Sequence, residues 1–255
     1  MGCWVLVAGA SRGIGRAAAR LLLEEGCSVV VSARGADALR SEFADASENR
    51  VKIVPIDFSR TEDLEGYSVE VVNLTGGLSG MLYSAGMQKT LPLTQSKFAL
   101  AEEIFRLNAF AAFELTRLFA KKGAYNPKGA SFVLLSSLAA HEGALGTALY
   151  GASKGALEGF VPAAASELAV KKIRLNALIL GTVRTGMSRQ FIEKMSEGQK
   201  KSLLAEYPLG LGEPEDAANF IAYLLSEKAR WITGQTFTLD GGHSVRAIYA
   251  AREGE

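Results

Sequence analysis

A strand-like apolar run, residues 3–8, passes without a break into Gly9-Ala10-Ser11-Arg12-Gly13-Ile14-Gly15. Apolar residues then recur at Ile14, Ala17, Ala18, Leu21 and Leu22, a spacing that lays one stripe along a helix. Strand, glycine turn and helix in immediate succession form the most restrictive pattern in this sequence. Glycines in such a turn let backbone approach a diphosphate, whose charge is met by free N–H groups at the helix start. A single glycine would read as a tight turn without a ligand. Three, at positions 9, 13 and 15, predict nucleotide binding by the turn Gly9, Ser11, Arg12, Gly13, Ile14 and Gly15.

The rest of the chain alternates short β-rich runs with longer helical ones. Candidate strands are 3–8, 28–33, 51–56, 79–84, 130–136, 173–179 and 235–239. Such alternation predicts an α/β fold: a Rossmann-like, doubly wound parallel sheet of about seven strands with helices on both faces. With 255 residues, 48% of them apolar, the chain has enough material for one sizeable core, read as a single domain over 1–255. Between Asp57 and Ser79 the pattern is ambiguous, because Val69-Glu70-Val71-Val72 suits strand or helix equally.

Tyr150 and Lys154 stand four residues apart in a helical segment and so share one face. A free phenol titrates near ~10, too high for acid–base work at neutral pH, and a fixed cation beside it favours the phenolate. The spacing therefore predicts that Lys154 lowers the Tyr150 pKa.

Taken together, Gly9-x-x-x-Gly13-x-Gly15 and Tyr150-x-x-x-Lys154 resemble the short-chain dehydrogenase/reductase family, in its simple one-domain branch. The resemblance runs from about Val5 to Gly242. Within it, Asp57 falls at the end of the third strand, Ala85-Gly86 at the end of the fourth and Asn108 in the next helix. Ser137 lies 13 residues before Tyr150. The resemblance implies hydride transfer between a nicotinamide and a carbonyl or secondary alcohol. Tyr150 would be the general acid/base, Ser137 a hydrogen-bond donor to the reacting oxygen, and Lys154 a ligand of the nicotinamide ribose. Asn108 would hold a water that relays protons from Lys154. By the same likeness Asp57 contacts adenine, Phe58 lines the adenine pocket, and Ala85, Gly86, Gly181, Val183 and Thr185 complete the cofactor site. It also implies a helix between Asp57 and Ser79. Three positions depart from the family pattern: Ala8 replaces a threonine, Tyr83-Ser84 replace two asparagines that tie neighbouring strands, and Leu180 replaces a proline.

The dinucleotide rule expects an acid about 20 positions past the glycine motif for NAD(H). Here Arg34 stands 19 residues after Gly15, with no acid before Asp37. A guanidinium there suits a 2′-phosphate, with Arg12 on its other side, so NADP(H) is favoured over NAD(H); the alternative is two ordinary surface arginines. A net charge of +1 with interspersed signs argues against nucleic acid, and no apolar run approaches the ~18 residues of a membrane span. The start lacks a signal-peptide layout, and Cys3 and Cys27 read as small core residues, so a cytoplasmic setting is expected. No metal site is legible, and His141 and His243 are far apart. Residues 186–208 occupy the place of a substrate lid, mixing Met187, Phe191, Ile192, Met195, Leu203 and Leu204 with Arg189, Lys194, Lys200 and Lys201. They leave a free, a carrier-linked or a nucleotide-linked substrate open. Gly151, Gly155 and Gly159 recur along the Tyr150 helix, which Pro162 should kink. The glycines suit either packing on the protein's own sheet or, with Phe105, Phe110, Phe113 and Leu118, a homodimer or homotetramer contact. The tail 243–255 extends past the family core.

Overall fold

The computed structural model describes residues 3–245, without the side chains of Met187, Gln190 and Phe191. The apolar lid residues Met187 and Phe191, and tail residues 246–255, thus lie outside the described residues. Seven strands form one parallel sheet: β1 Trp4–Ala8, β2 Ser28–Ser32, β3 Val51–Ile53, β4 Gly80–Tyr83, β5 Ala130–Ser137, β6 Ile173–Leu180 and β7 Thr236–Leu239. Their order is β3-β2-β1-β4-β5-β6-β7, so the winding reverses between β1 and β4. The helices are α1 Gly13–Glu24, α2 Ala36–Glu42, α3 Leu64–Thr75, α4 Phe98–Phe105, α5 Ala111–Phe119, α6 Ala148–Ala169, α7 Gly186–Ile192, α8 Glu197–Ala205 and α9 Pro214–Leu225. The ambiguous segment is α3, which Gly76 closes in a left-handed conformation at φ 72°.

Strand side chains alternate faces, and both faces are covered. From β1, Leu6 and Ala8 enter a core with Val71 of α3, Leu115 of α5 and Leu157 of α6. Val5 and Val7 enter the opposite core with Ala18 and Leu22 of α1 and Ala218 and Ile221 of α9. Small residues on α1 and α9 allow these two helices to pack side by side. The carbonyls at the end of α9 find donors across the fold: Ser131 Oγ and Arg174 Nη1 both donate to Leu224 O, at 2.8 and 2.7 Å.

Two expectations about α6 are refined. The helix continues across Pro162 for its full 22 residues. A Cβ at Gly151 would collide with the Ala139 carbonyl, and one at Gly155 would stand 3.8 Å from Ala140 Cβ. Gly151 therefore serves packing on the chain's own 138–140 turn, whereas the contact at Gly155 would admit a side-chain methyl. Leu118, 1% exposed, is core and not available to a partner.

Candidate active site

The strand order reverses between β1 and β4, and a crevice is expected beyond the carboxyl ends of strands at such a switch point. The glycine turn lies there, and its composition is enforced by contact. Gly9 has φ +91°, and a Cβ on it would stand 2.8 Å from the Ala85 N. A Cβ on Gly15 would collide with the Gly9 carbonyl and the Ser84 hydroxyl. Gly13 lies against the Thr185 methyl, which brings the loop after β6 to the start of α1. Ile14 packs on the core beneath, and α1 begins with extended Arg12 and no side-chain cap. Its first N–H groups thus face the turn, as a diphosphate requires. The tie expected to be missing at Ser84 is made by another group: Ser84 Oγ donates to Ala8 O at 2.7 Å, joining β4 to β1.

Beyond β2 a cleft of about 580 Å³ is lined by Arg34, Asp57, Arg60 and Tyr67. Among the described residues, neither Arg12 nor Arg34 pairs its guanidinium, whereas Arg16, Arg20, Arg40 and Arg60 all lie beside carboxylates. Two expectations change here. Strand β3 stops at Ile53, so Asp57 sits four residues past it, its Oδ1 accepting from Ser59 N and Oγ at 3.0 and 2.8 Å. Phe58 does not line the cleft: its ring is 3% exposed and meets Tyr67 and Tyr83 edge-on, at 5.8 and 5.7 Å between centroids. Core packing claims this side chain, leaving only its backbone near the cleft.

Strand β5 delivers Ser137 at its last residue, and α6 returns antiparallel to deliver Tyr150 and Lys154 one turn apart. Burial raises the Tyr150 pKa, and a hydrogen bond with Ser137 acts in the opposite direction. The predicted lowering by Lys154 is absent. The Lys154 ammonium stands 5.9 Å from the centre of the Tyr150 ring and donates to Leu135 O at 2.7 Å. Its own pKa is lowered to about 8 by burial, because a desolvated ammonium favours its neutral form. Ser136 faces away from Ser137 and donates to Lys154 O and to Glu158 Oε1.

Asn108 occupies a π-helical turn, residues 106–110, that links α4 to α5. Its Nδ2 donates to Met87 O and Ser153 Oγ, both at 3.0 Å, and its Oδ1 accepts Met87 N–H at 2.9 Å. The amide thereby clamps the loop after β4 onto α6, with one Oδ1 lone pair left for a further donor. A Cβ on Gly86 would stand 3.4 Å from Asn108 Oδ1 and 3.5 Å from Lys154 Nζ. Gly86, Asn108 and Lys154 therefore converge on one point, and Ala85 leads into it.

Comparison with known proteins agrees with this geometry. The family model described as enoyl-(acyl carrier protein) reductase matches residues 9–244. Carbonyl reductase family member 4 of Xenopus laevis is 30% identical over 92% of this chain and 95% of its own length. The 3-oxoacyl-[acyl-carrier-protein] reductase of Staphylococcus aureus is 31% identical, over 93% of this chain and 96% of its own. A crystal structure of a short-chain dehydrogenase/reductase from Brucella melitensis superposes with a TM-score of 0.87 at 30% identity, covering 94% of this chain and 96% of that one. The chain belongs to the short-chain dehydrogenase/reductase family. It is an oxidoreductase acting on CH–OH and C=O groups with a nicotinamide dinucleotide, and the glycine cradle, the uncapped α1 and the unpaired arginines fit that cofactor.

On the side of this oxidoreductase next to Ser137, a second cleft of about 610 Å³ is lined by Leu138, His141, Glu142, Glu206 and His243. The two histidines, remote in sequence, meet here. His141 Nε2 lies 2.7 Å from Glu158 Oε2. His243 is buried, stacks on Tyr207 at 4.7 Å and contacts Glu142 through Nε2. Tyr207 in turn holds Thr182 by its hydroxyl, at 2.8 Å from Oγ1, and packs against Gly181. Val183, buried, bridges to Gly212. Nothing local in the sequence points to Tyr207, Glu158 or His243 at this cleft, because their partners lie 17 to 101 positions away. Residues 186–208, expected as a lid, form α7 and α8, the latter opened by a Ser196–Gln199 capping box. No described helix is long and apolar enough to cross a membrane.

Proposed function

We propose that the protein is an NADP(H)-dependent carbonyl reductase or alcohol dehydrogenase in which Tyr150 is the general acid/base. The observation that carries this reading is the placement of Ser137 where it lowers the pKa of the buried Tyr150 phenol, with the Lys154 ammonium buried a turn away beside Asn108 and Gly86. Bound NADP(H) supplies or accepts the hydride. Ser137 holds the substrate oxygen and fixes its position. Tyr150 gives that oxygen a proton in reduction and removes it in oxidation. Lys154 holds the ribose hydroxyls and, once its ammonium turns from Leu135 O toward the phenol, favours the phenolate. Asn108 keeps the loop carrying Ala85 and Gly86 in place and offers its remaining lone pair to a relay water. Unpaired Arg12 and Arg34 support the 2′-phosphate form of the cofactor.

A small carbonyl compound is the substrate class best supported. Glu142 and Glu206 line the cleft, and its two histidines lie against carboxylates, so among the described residues lining it an anionic group meets no unpaired cation. A carrier-linked substrate is the second reading, favoured by the name of the Staphylococcus relative and by exposed Lys194 and Lys201 on the lid. The reading extends to a cytoplasmic homodimer or homotetramer joined across α4, α5 and the π-helical turn between them, where Phe98 and Phe110 are exposed. The experiment is nicotinamide oxidation across ketones, keto-sugars, 3-oxoacyl thioesters and enoyl thioesters, with NADPH and NADH. Turnover of a carbonyl with NADPH, lost by roughly a thousandfold or more in Tyr150→Phe with the fold intact, is expected. Arg34→Ala should weaken NADPH but not NADH. Reduction of enoyl thioesters alone would sink the carbonyl assignment, and silence with tight NADPH binding would favour a non-catalytic dinucleotide sensor.

A further inference from the structure

Cys3 and Cys27 stand one residue ahead of β1 and β2. The parallel register pairs Trp4 with Ser28, and Ser28 N–H donates to Cys3 O at 2.9 Å, so the two cysteines are set side by side. Adjacent strands lie ~4.8 Å apart, inside the roughly 4.4–6.8 Å Cα separation that a disulfide spans. The sulfurs are already 3.1 Å apart, the Cys27 thiol donating to Cys3 Sγ. Cys3 is exposed and not the small core residue expected from the sequence, whereas Cys27 is half-buried and packs against the core beside α1. The pair is also electrically unequal. The hydrogen bond from Cys27, helped by Ser79, lowers the Cys3 pKa to about 7. Giving that bond, together with burial, raises the Cys27 pKa. A nucleophilic thiolate thus sits against a protonated thiol. Both lie at the amino ends of the strands, the edge of the sheet opposite the one carrying Gly9 and Ser137, so hydride transfer makes no use of them.

We propose that Cys3 and Cys27 form a reversible dithiol–disulfide site, oxidised by small peroxides. The Cys3 thiolate attacks one peroxide oxygen; an S–O bond forms, the O–O bond breaks, and the departing hydroxide takes a proton to become water. The Cys27 sulfur then attacks the Cys3 sulfur; the S–S bond forms, the S–O bond breaks, and the Cys27 proton leaves with the hydroxyl as a second water. Two thiols are oxidised by two electrons and one peroxide is reduced by two. The bridge ties the starts of two central strands and closes the chain around α1, so it acts on stability and not on the distant active site.

The test treats the full-length protein with hydrogen peroxide, alkylates remaining thiols and maps peptides without reduction. Expected is one intramolecular species joining the Cys3 and Cys27 peptides, two hydrogens lighter, reversed by dithiothreitol. It should melt about 5–10 °C higher than the reduced protein, from loop closure in the unfolded chain, with turnover unchanged. In C27S, Cys3 should stop at a sulfenic acid trapped by dimedone; in C3S, Cys27 should stay unreacted. Wild-type protein in which both cysteines remain separately alkylable after peroxide, with C27S and C3S folded and equally inert, would overturn the proposal. So would linkage only between chains.

Discussion

Replacing Lys154 with methionine should stabilise the free protein while removing its activity, because the structure holds an ammonium where water is excluded. Burial lowers the Lys154 pKa from its ordinary 10.5 to about 8. At ~1.4 kcal/mol per pH unit, keeping the charge at neutral pH costs about 3 kcal/mol. The bond to Leu135 O returns part of this, about 1–2 kcal/mol for a charged donor, so Lys154→Met should gain about 1–2 kcal/mol at pH 7. The pH dependence isolates the charge. Between about pH 8 and 10.5 the unfolded lysine keeps its proton while the folded one sheds it, so the unfolded state binds more protons and wild-type stability rises with pH. Below about pH 8 both states are protonated and the cost is constant. The variant lacks this dependence, so its advantage should shrink by about 1 kcal/mol between pH 7 and 9. Comparing the two proteins cancels the buried tyrosines, whose raised pKa values lower stability at higher pH. Urea denaturation at both pH values measures the gap. An equal gap at the two, or a variant less stable at pH 7, would refute the account of Lys154 as a desolvated cation.

Gly15→Ala pushes a methyl into the Gly9 carbonyl, a backbone atom that cannot swing aside. It should cost about 2–3 kcal/mol, lower the melting temperature by about 5–10 °C and weaken NADPH binding measured by titration; an unchanged melt would mean the turn is loose. Ser84→Ala removes the hydroxyl bond to Ala8 O but leaves that carbonyl the Ser84 N–H at 2.9 Å. A loss of about 1 kcal/mol by denaturant titration is expected, and no loss would show that the hydroxyl does not tie β4 to β1.

Much of the architecture was legible because its signals are local. All seven strands lie at the expected places, since β-rich runs bounded by turns encode their own conformation. The glycines at 9 and 15 and the i,i+4 spacing of Tyr150 and Lys154 are likewise written within single elements. The resemblance supplied α3, where local pattern was silent, because Val69 is exposed and Val71 buried on a short helix with only a weak apolar stripe.

What the sequence by itself determined, then, was the sheet, the glycine turn and the identities of the residues beside it. The tertiary structure alone decided which groups those residues meet. It turned Phe58 into the core and substituted the Ser84 hydroxyl for a missing amide. It brought His141 and His243 to one cleft, placed Cys27 against Cys3, and set burial above charge at Tyr150. These outcomes depend on contacts between segments far apart in the chain, and on how much water each contact excludes. Neither quantity is carried by residue spacing, because desolvation and packing belong to the assembled surface and not to any one segment.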